Sequence, residues 1–339
     1  MTTYINAEEA VSNIAMCFKN KLVPMITGSP GIGKSAIVYQ VKDKYRLHPI
    51  DIRLSQCDPT DMSGLPSING KKASYRPMDI FPLENDPIPD GCEGFVIFLD
   101  EINSASMAVQ AASYKLVLDR MVGQHKLHPK TFIVCAGNLI TDGAIVNRLS
   151  TAMQSRLIHF ELRVDWKMWS LWASANKLAT EVISYINHQP GKLMNFDPNH
   201  NDKTFASPRT WEFASRIMLH QGMSLEAKLP ALSGCVGEGI AYEFVTYCEV
   251  YKHIPTYKDI LANPRGIHIT NEPMMLAALS GMVGSTVTVK DLSQIMPYIH
   301  RLPLEFQVFA LRDATKRNPL IKKEQDLIDW LTINAEALV

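Results

Sequence analysis

Hydrophobic positions along this chain fall into two textures. In the first half, short apolar runs alternate with segments of helical spacing. The runs are residues 22–27, 49–54, Gly94-Phe95-Val96-Ile97-Phe98-Leu99 and 131–136. The run 94–99 has no polar break and predicts a strand covered on both faces of a parallel sheet, 22–27 and 131–136 predict buried strands, and 49–54 a short strand. Between them, residues 36–41 and 106–119 place apolar side chains at helical intervals. Asn6 is positioned to cap a helix over residues 7–19, with Glu8 and Glu9 favourably set in its first turn. Strands alternating with helices predict an α/β fold.

Two further features break that alternation. The segment 58–81 is punctuated by Asp58-Pro59-Thr60-Asp61 and Gly64-Leu65-Pro66, and residues 65–76 predict a small hairpin with Asn69-Gly70 as its turn. Beyond about Leu162 the texture becomes helical, with segments at 166–178, 181–187 and 207–220. Residues 230–251 predict another helical region despite several glycines, and 255–265 a connection towards a carboxy-terminal helical module. There is no low-complexity segment and no internal repeat.

The strongest chemical signal is Gly28-Ser29-Pro30-Gly31-Ile32-Gly33-Lys34-Ser35, which fits the phosphate-binding P-loop at every specified position, between a predicted strand and a predicted helix. Its glycines let backbone N–H groups surround phosphate oxygens, while the positive end of the following helix faces the anion. Lys34 would reach the β and γ phosphates, and Ser35 would offer its hydroxyl to Mg²⁺, which prefers oxygen ligands. ATP with Mg²⁺ is the expected ligand. Asp100 and Glu101 close the apolar run 94–99, where the metal and an attacking water of a bound nucleotide would lie. Asp100 can hold Mg²⁺ and Glu101 can act as general base. Asn138 ends the next run, where an amide can position that water or sense the γ phosphate; an asparagine there also suits a plain turn.

Composition narrows the classes. The 34 basic residues are balanced by 34 acidic ones, so no global excess argues for nucleic acid or an anionic membrane. No segment has the form of a secretory signal or a membrane span, which makes a cytoplasmic protein the expectation. Six cysteines, at 17, 57, 92, 135, 235 and 248, lack metal-ligand spacing and read as reduced thiols. Histidines 125, 128, 188, 200, 220 and 253 form no ligand-like pair, which argues against a catalytic zinc. Trp166, Trp169 and Trp172 recur every third residue and predict core packing on one helix face rather than an aromatic recognition surface.

Taken together, residues 28–35, 95–101 and Asn138 resemble the Walker A, Walker B and sensor 1 motifs of the AAA+ ATPases, in the right order. Leu149-Ser150-Thr151-Ala152-Met153-Gln154-Ser155-Arg156 is similar to the segment carrying an arginine finger, and Ala206-Ser207-Pro208-Arg209 resembles the sensor 2 motif of the MoxR branch. The resemblance covers roughly residues 20–220. It implies an AAA+ P-loop parallel-sheet core over residues 1–162, with a MoxR-type insertion in helix 2 near 58–81. It further implies a helical lid over 163–230, and residues 231–339 would then be a helical extension. Arg156 would act in trans on a neighbouring subunit's γ phosphate, with Arg148 as its competitor, and Arg209 in cis from the lid. Tyr75 and Arg76 are the insertion's best candidates for contact. The resemblance also implies a homo-oligomeric ring, expected as a hexamer, that remodels a protein partner. A partner with a von Willebrand factor A domain is an expectation of the same kind. Two other readings stay open: a DNA-directed loader or translocase, and a nucleotide-gated scaffold with little turnover.

Overall fold

The alternation of strand and helix resolves into a six-stranded parallel sheet. The computed structural model describes residues 4–69, 71–142, 147–199, 202–252 and 255–334. The chain parts into two compact units, Met1–Asp165 with Asp197–His200, and Trp166–Phe196 with Asn201–Val339.

In the first unit the elements are β1 (Tyr4–Ile5), α1 (Ala7–Lys19), β2 (Val23–Thr27), α2 (Lys34–Lys44), β3 (Leu47–Arg53), α3 (Pro59–Ser63), β4 (Leu65–Asn69) and β5 (Lys72–Arg76). There follow β6 (Gly94–Asp100), α4 (Met107–Asp119), β7 (Met121–Val122), β8 (His125–Lys126), β9 (Thr131–Gly137), α5 (Thr151–Gln154) and β10 (Leu157–Leu162). The sheet order is β1-β10-β2-β9-β6-β3, parallel throughout. β9 therefore lies between β2, which leads into the P-loop, and β6, which ends in the acid pair.

Both faces of the central strands are covered, as their apolar runs require. On one face, Ala10, Ile14 and Phe18 of α1 and Ile37, Val38 and Val41 of α2 pack on Ile26, Val96, Phe98 and Val134. On the other, Met62 of α3 and Val109, Leu116 and Val117 of α4 pack on Met25, Ile97, Leu99 and Ile133. Each of the Val, Leu, Ile, Met and Phe side chains among them, fully buried, contributes about 1.5–3 kcal/mol. The start of α1 follows its predicted chemistry: Asn6 accepts from the Glu9 N–H at 2.9 Å while Glu9 accepts from the Asn6 N–H at 2.9 Å.

The hairpin forms as predicted, with Leu65 opposite Arg76 and Asn69 opposite Lys72. Gly70 of its turn lies outside the described residues, as do His200 and His253. Beneath it, β7 and β8 make a second, short hairpin that periodicity does not reveal. His125 Nε2 sits 3.2 Å from the Tyr75 carbonyl oxygen and ties the two together.

Periodicity also passes over β1 and β10. In β10, His159 and Glu161 interrupt the apolar pattern because that part of the sheet is only partly covered. The run predicted from Pro49 begins at Leu47, and its last residue, Leu54, turns out of the strand.

The second unit contains α6 (Trp166–Ala175), α7 (Thr180–His188), α8 (Pro208–Leu219), α9 (Leu225–Val236) and α10 (Glu238–Lys252). It ends with α11 (Tyr257–Ala262), α12 (Pro273–Thr286), α13 (Leu292–Ile299), α14 (Leu304–Arg317) and α15 (Gln325–Ile333). The helical region expected over 230–251 is two helices, because Gly237 at φ +91° breaks the run between α9 and α10. The connection expected over 255–265 carries a helix of its own, α11, opened by a capping box between Thr256 and Asp259.

An aromatic cluster organises this core. Trp211 lies 5.4 Å from Tyr185 and 5.4 Å from Phe244 between ring centroids, and Tyr185 lies 5.4 Å from Tyr247. The polar ends are satisfied: Trp211 Nε1 donates to the Lys192 carbonyl at 2.8 Å, and Ser184 and Tyr247 share a hydrogen bond of 2.6 Å. Of the three spaced tryptophans on α6, Trp169 is buried, while Trp166 and Trp172 are half-buried. No helix among the described residues is long and apolar enough to cross a membrane.

Candidate functional site

The site is assembled from the carboxyl ends of adjacent parallel strands, where loops carry chemistry on a rigid support. Leaving β2, the chain enters the loop 28–33 and then α2. Gly31 and Gly33 hold φ +79° and +99°, the left-handed region that glycine adopts without steric cost, and Gly33 is the residue from which α2 starts. Lys34 and Ser35 open α2, and both are half-buried. The Lys34 ammonium donates to the carbonyls of Gly28 at 2.6 Å and Ser29 at 3.1 Å, and to Asn138 Oδ1 at 3.0 Å. Two residues singled out separately along the chain, Lys34 and Asn138, are thereby brought into contact.

At the end of β6, Asp100 accepts from the Glu101 N–H at 2.9 Å. Burial raises the Asp100 carboxyl above the ordinary carboxylate range; the hydrogen bond from Glu101 and the Lys34 charge oppose that rise, whereas the charges of Glu101 and Asp51 add to it. Glu101 occupies the left-handed region at φ +56°, an uncommon backbone for a side chain of this size, which turns it away from the strand direction. Its carboxylate accepts from Ser55 Oγ and lies 3.8 Å from Arg53 Nε, both on the segment that ends β3. These two partners carry no recognisable motif.

Asn138 is held from below by Asn103, which is 6% exposed. Asn103 Nδ2 donates to the Asn138 carbonyl at 2.7 Å, and Asn103 Oδ1 accepts from the Asn138 N–H at 3.1 Å. The only sequence signal for it is its position shortly after the acid pair.

Arg156 is exposed at the end of α5. Its guanidinium donates to the Ala152 carbonyl at 2.8 Å and to Ser155 Oγ at 3.3 Å, and stands 5.5 Å from the Tyr114 ring centroid. Arg148, also exposed, lines an open cavity of about 790 Å³ with Thr27, Asn138, His159 and Glu161. In the second unit, Arg209 is exposed in the first turn of α8, after Ser207, which caps the helix by accepting from the Thr210 N–H at 3.3 Å. Pro208 occupies the first helical position, where its missing N–H costs nothing. Among the described residues no group of three or more His, Cys, Asp or Glu is arranged to hold a metal ion.

The P-loop after β2, the acids at the end of β6 and the intervening β9 define a parallel α/β core with a phosphate-binding loop at its strand ends. No family model matches the chain, and no curated protein matches it. Among solved structures, a point mutant of RuvB from Thermotoga maritima is similar at 15% identity, over 87% of each chain, with a TM-score of 0.42. The RuvB Holliday junction branch migration motor of the same organism is similar at 16% identity, over 87% of this chain and 86% of the other, with a TM-score of 0.39. A protein from Cytophaga hutchinsonii described as an ATPase is similar at 13% identity, over 92% of this chain and 81% of the other, with a TM-score of 0.37.

Proposed function

We propose that the chain is a MoxR-like AAA+ ATPase that hydrolyses ATP with Mg²⁺ and works as a ring, expected as a hexamer, to remodel a protein partner. One observation carries the reading: the P-loop lysine, 3.0 Å from the Asn138 amide, stands beside an acid pair two strands away, in an order that no single motif dictates.

In this scheme the loop N–H groups and Lys34 bind the β and γ phosphates. Ser35 and Asp100 supply oxygen donors of the kind Mg²⁺ prefers, and the ion when bound would neutralise charge on the phosphates. Glu101 accepts the proton of the attacking water, its orientation set by Ser55 and Arg53. Asn138 orients the water or senses the γ phosphate. Arg156, or Arg148 in its place, serves a neighbouring copy, a role that an exposed guanidinium suits. Arg209 is the helical unit's candidate for reporting the γ phosphate, with the lid over 163–230 and the extension over 231–339. The hairpin offers a contact surface for the partner, a von Willebrand factor A protein being the expected kind. Ile68 at its tip is 80% exposed, and Tyr75 and Arg76 lie on its second strand.

The test is the solution mass of the wild type and of Glu101→Gln with ATP and Mg²⁺, alongside phosphate release by each. ATP-dependent rings that hydrolyse only as wild type support the motor. Strong, salt-dependent stimulation by DNA turns the reading to a DNA-directed machine, and rings of wild type without turnover turn it to a scaffold. A persistent monomer without turnover removes the ring.

A further inference from the structure

Asn103 is not an ordinary turn asparagine. Such residues bond backbone groups two to four positions away. Asn103 instead directs both ends of its amide to the backbone of one residue 35 positions distant, donating to the Asn138 carbonyl at 2.7 Å and accepting from its N–H at 3.1 Å. It supplies Asn138 with the pair of bonds that a further strand would have given.

The anchor itself is fixed. The Asn103 carbonyl accepts from the Asn147 N–H at 2.6 Å, and the Ile102 N–H, one residue earlier, donates to the Ala136 carbonyl at 3.0 Å. Gly137 lets the two segments meet: a Cβ there would lie 2.3 Å from Asn103 Oδ1. On its other side, Asn138 presents Oδ1 to the Lys34 ammonium. The buried amide therefore sets the position of the Asn138 side chain, which follows β9 and reaches the P-loop lysine.

We propose that Asn103 is a positioning residue for hydrolysis, holding the Asn138 backbone so that the Asn138 amide meets Lys34 and the γ phosphate of bound ATP. The proposal rests on reading Asn138 as a γ-phosphate group. Asn103 touches no reacting atom and acts only through Asn138. Losing it removes the side-chain partner of the part-buried Asn138 N–H and carbonyl and lets the Asn138 amide drift.

The experiment is a double-mutant cycle on steady-state ATP hydrolysis with Asn103→Leu, Asn138→Ala and the pair, with nucleotide affinity measured by titration and folding by thermal melt. Asn103→Leu should lower kcat about tenfold or more, with ATP affinity unchanged within about threefold. In the Asn138→Ala background it should have no further effect on kcat. Asn103→Asp provides the readout that a merely structural role would not move. A protonated carboxyl reproduces the donor and acceptor of the amide, so its activity relative to wild type should rise as pH falls. Multiplicative losses in the double mutant, or a flat ratio for Asn103→Asp, overturn the proposal while leaving the ATPase reading intact. Wild-type turnover in Asn138→Ala removes the role of Asn138 itself, and this inference with it.

Discussion

The two units use their hydrogen-bonding side chains to different ends. In the sheet unit these groups gather at strand ends and join segments far apart in sequence: Lys34 to Asn138, Asn103 to Asn138, Ser55 to Glu101. In the helical unit they finish the packing of large aromatic rings, as Trp211 does on the Lys192 carbonyl and Tyr247 on Ser184. The contrast separates polar groups that join distant segments at the candidate site from polar groups that let a large side chain be buried at all. Substitution in one unit should accordingly appear in turnover, and in the other in stability.

The largest expected effect tests the sheet unit's exposed arginines. Arg156→Ala should lower assembly-dependent hydrolysis by about 10³–10⁵ while leaving nucleotide affinity of the isolated subunit unchanged. Phosphate release above and below the assembly concentration measures it, and full activity in an assembled ring shifts the role to Arg148. Next, Glu101→Gln should reduce kcat by about 10²–10⁴ with ATP still bound. Near-normal turnover would remove Glu101 as the base.

The helical unit gives the counterpart. Trp211→Ala should cost about 3–5 kcal/mol of stability, since it empties the centre of the aromatic cluster. Denaturant unfolding followed by the remaining tryptophans measures this, and a loss below about 1 kcal/mol would mean that the cluster repacks.

The smallest effect concerns Asp313 on α14, pressed so closely against α12 that a Cβ on Gly284 would lie 2.8 Å from its own Cβ. Burial raises its carboxyl above the ordinary value of 3.8, against the pull of Arg317 and Lys316. A raised folded value favours the protonated form, so its stabilising contribution is complete below the unfolded value and is lost as pH rises through the folded one. Asp313→Asn should thus raise Tm slightly at neutral pH, with the gain vanishing in acid. A drop in Tm at neutral pH would show that the attraction to Arg317 outweighs burial.

Much of the site was legible because its signals are local. The P-loop glycines, Lys34 and Ser35 stand within eight consecutive residues. Asp100, Glu101 and Asn138 each end an unbroken apolar run, so their placement at strand ends follows from periodicity. Ser55, Arg53 and Asn103 were illegible for the opposite reason, as each is an ordinary polar residue at or just after the end of a strand. Their partners are fixed by which strands are neighbours. In β10 a half-covered surface keeps His159 and Glu161 among apolar residues, which blurs the pattern of a buried strand.

The sequence by itself determined the phosphate loop, the helix caps at Asn6, Ser106 and Ser207, and the change from alternating to helical texture near Leu162. All of these are set by interactions within a few residues. Only the tertiary structure decided that β9 would lie between β2 and β6, and hence that Asn138 would meet a lysine 104 residues earlier. Sheet order follows from how helices cover both faces of the strands together, and no short segment contains that information.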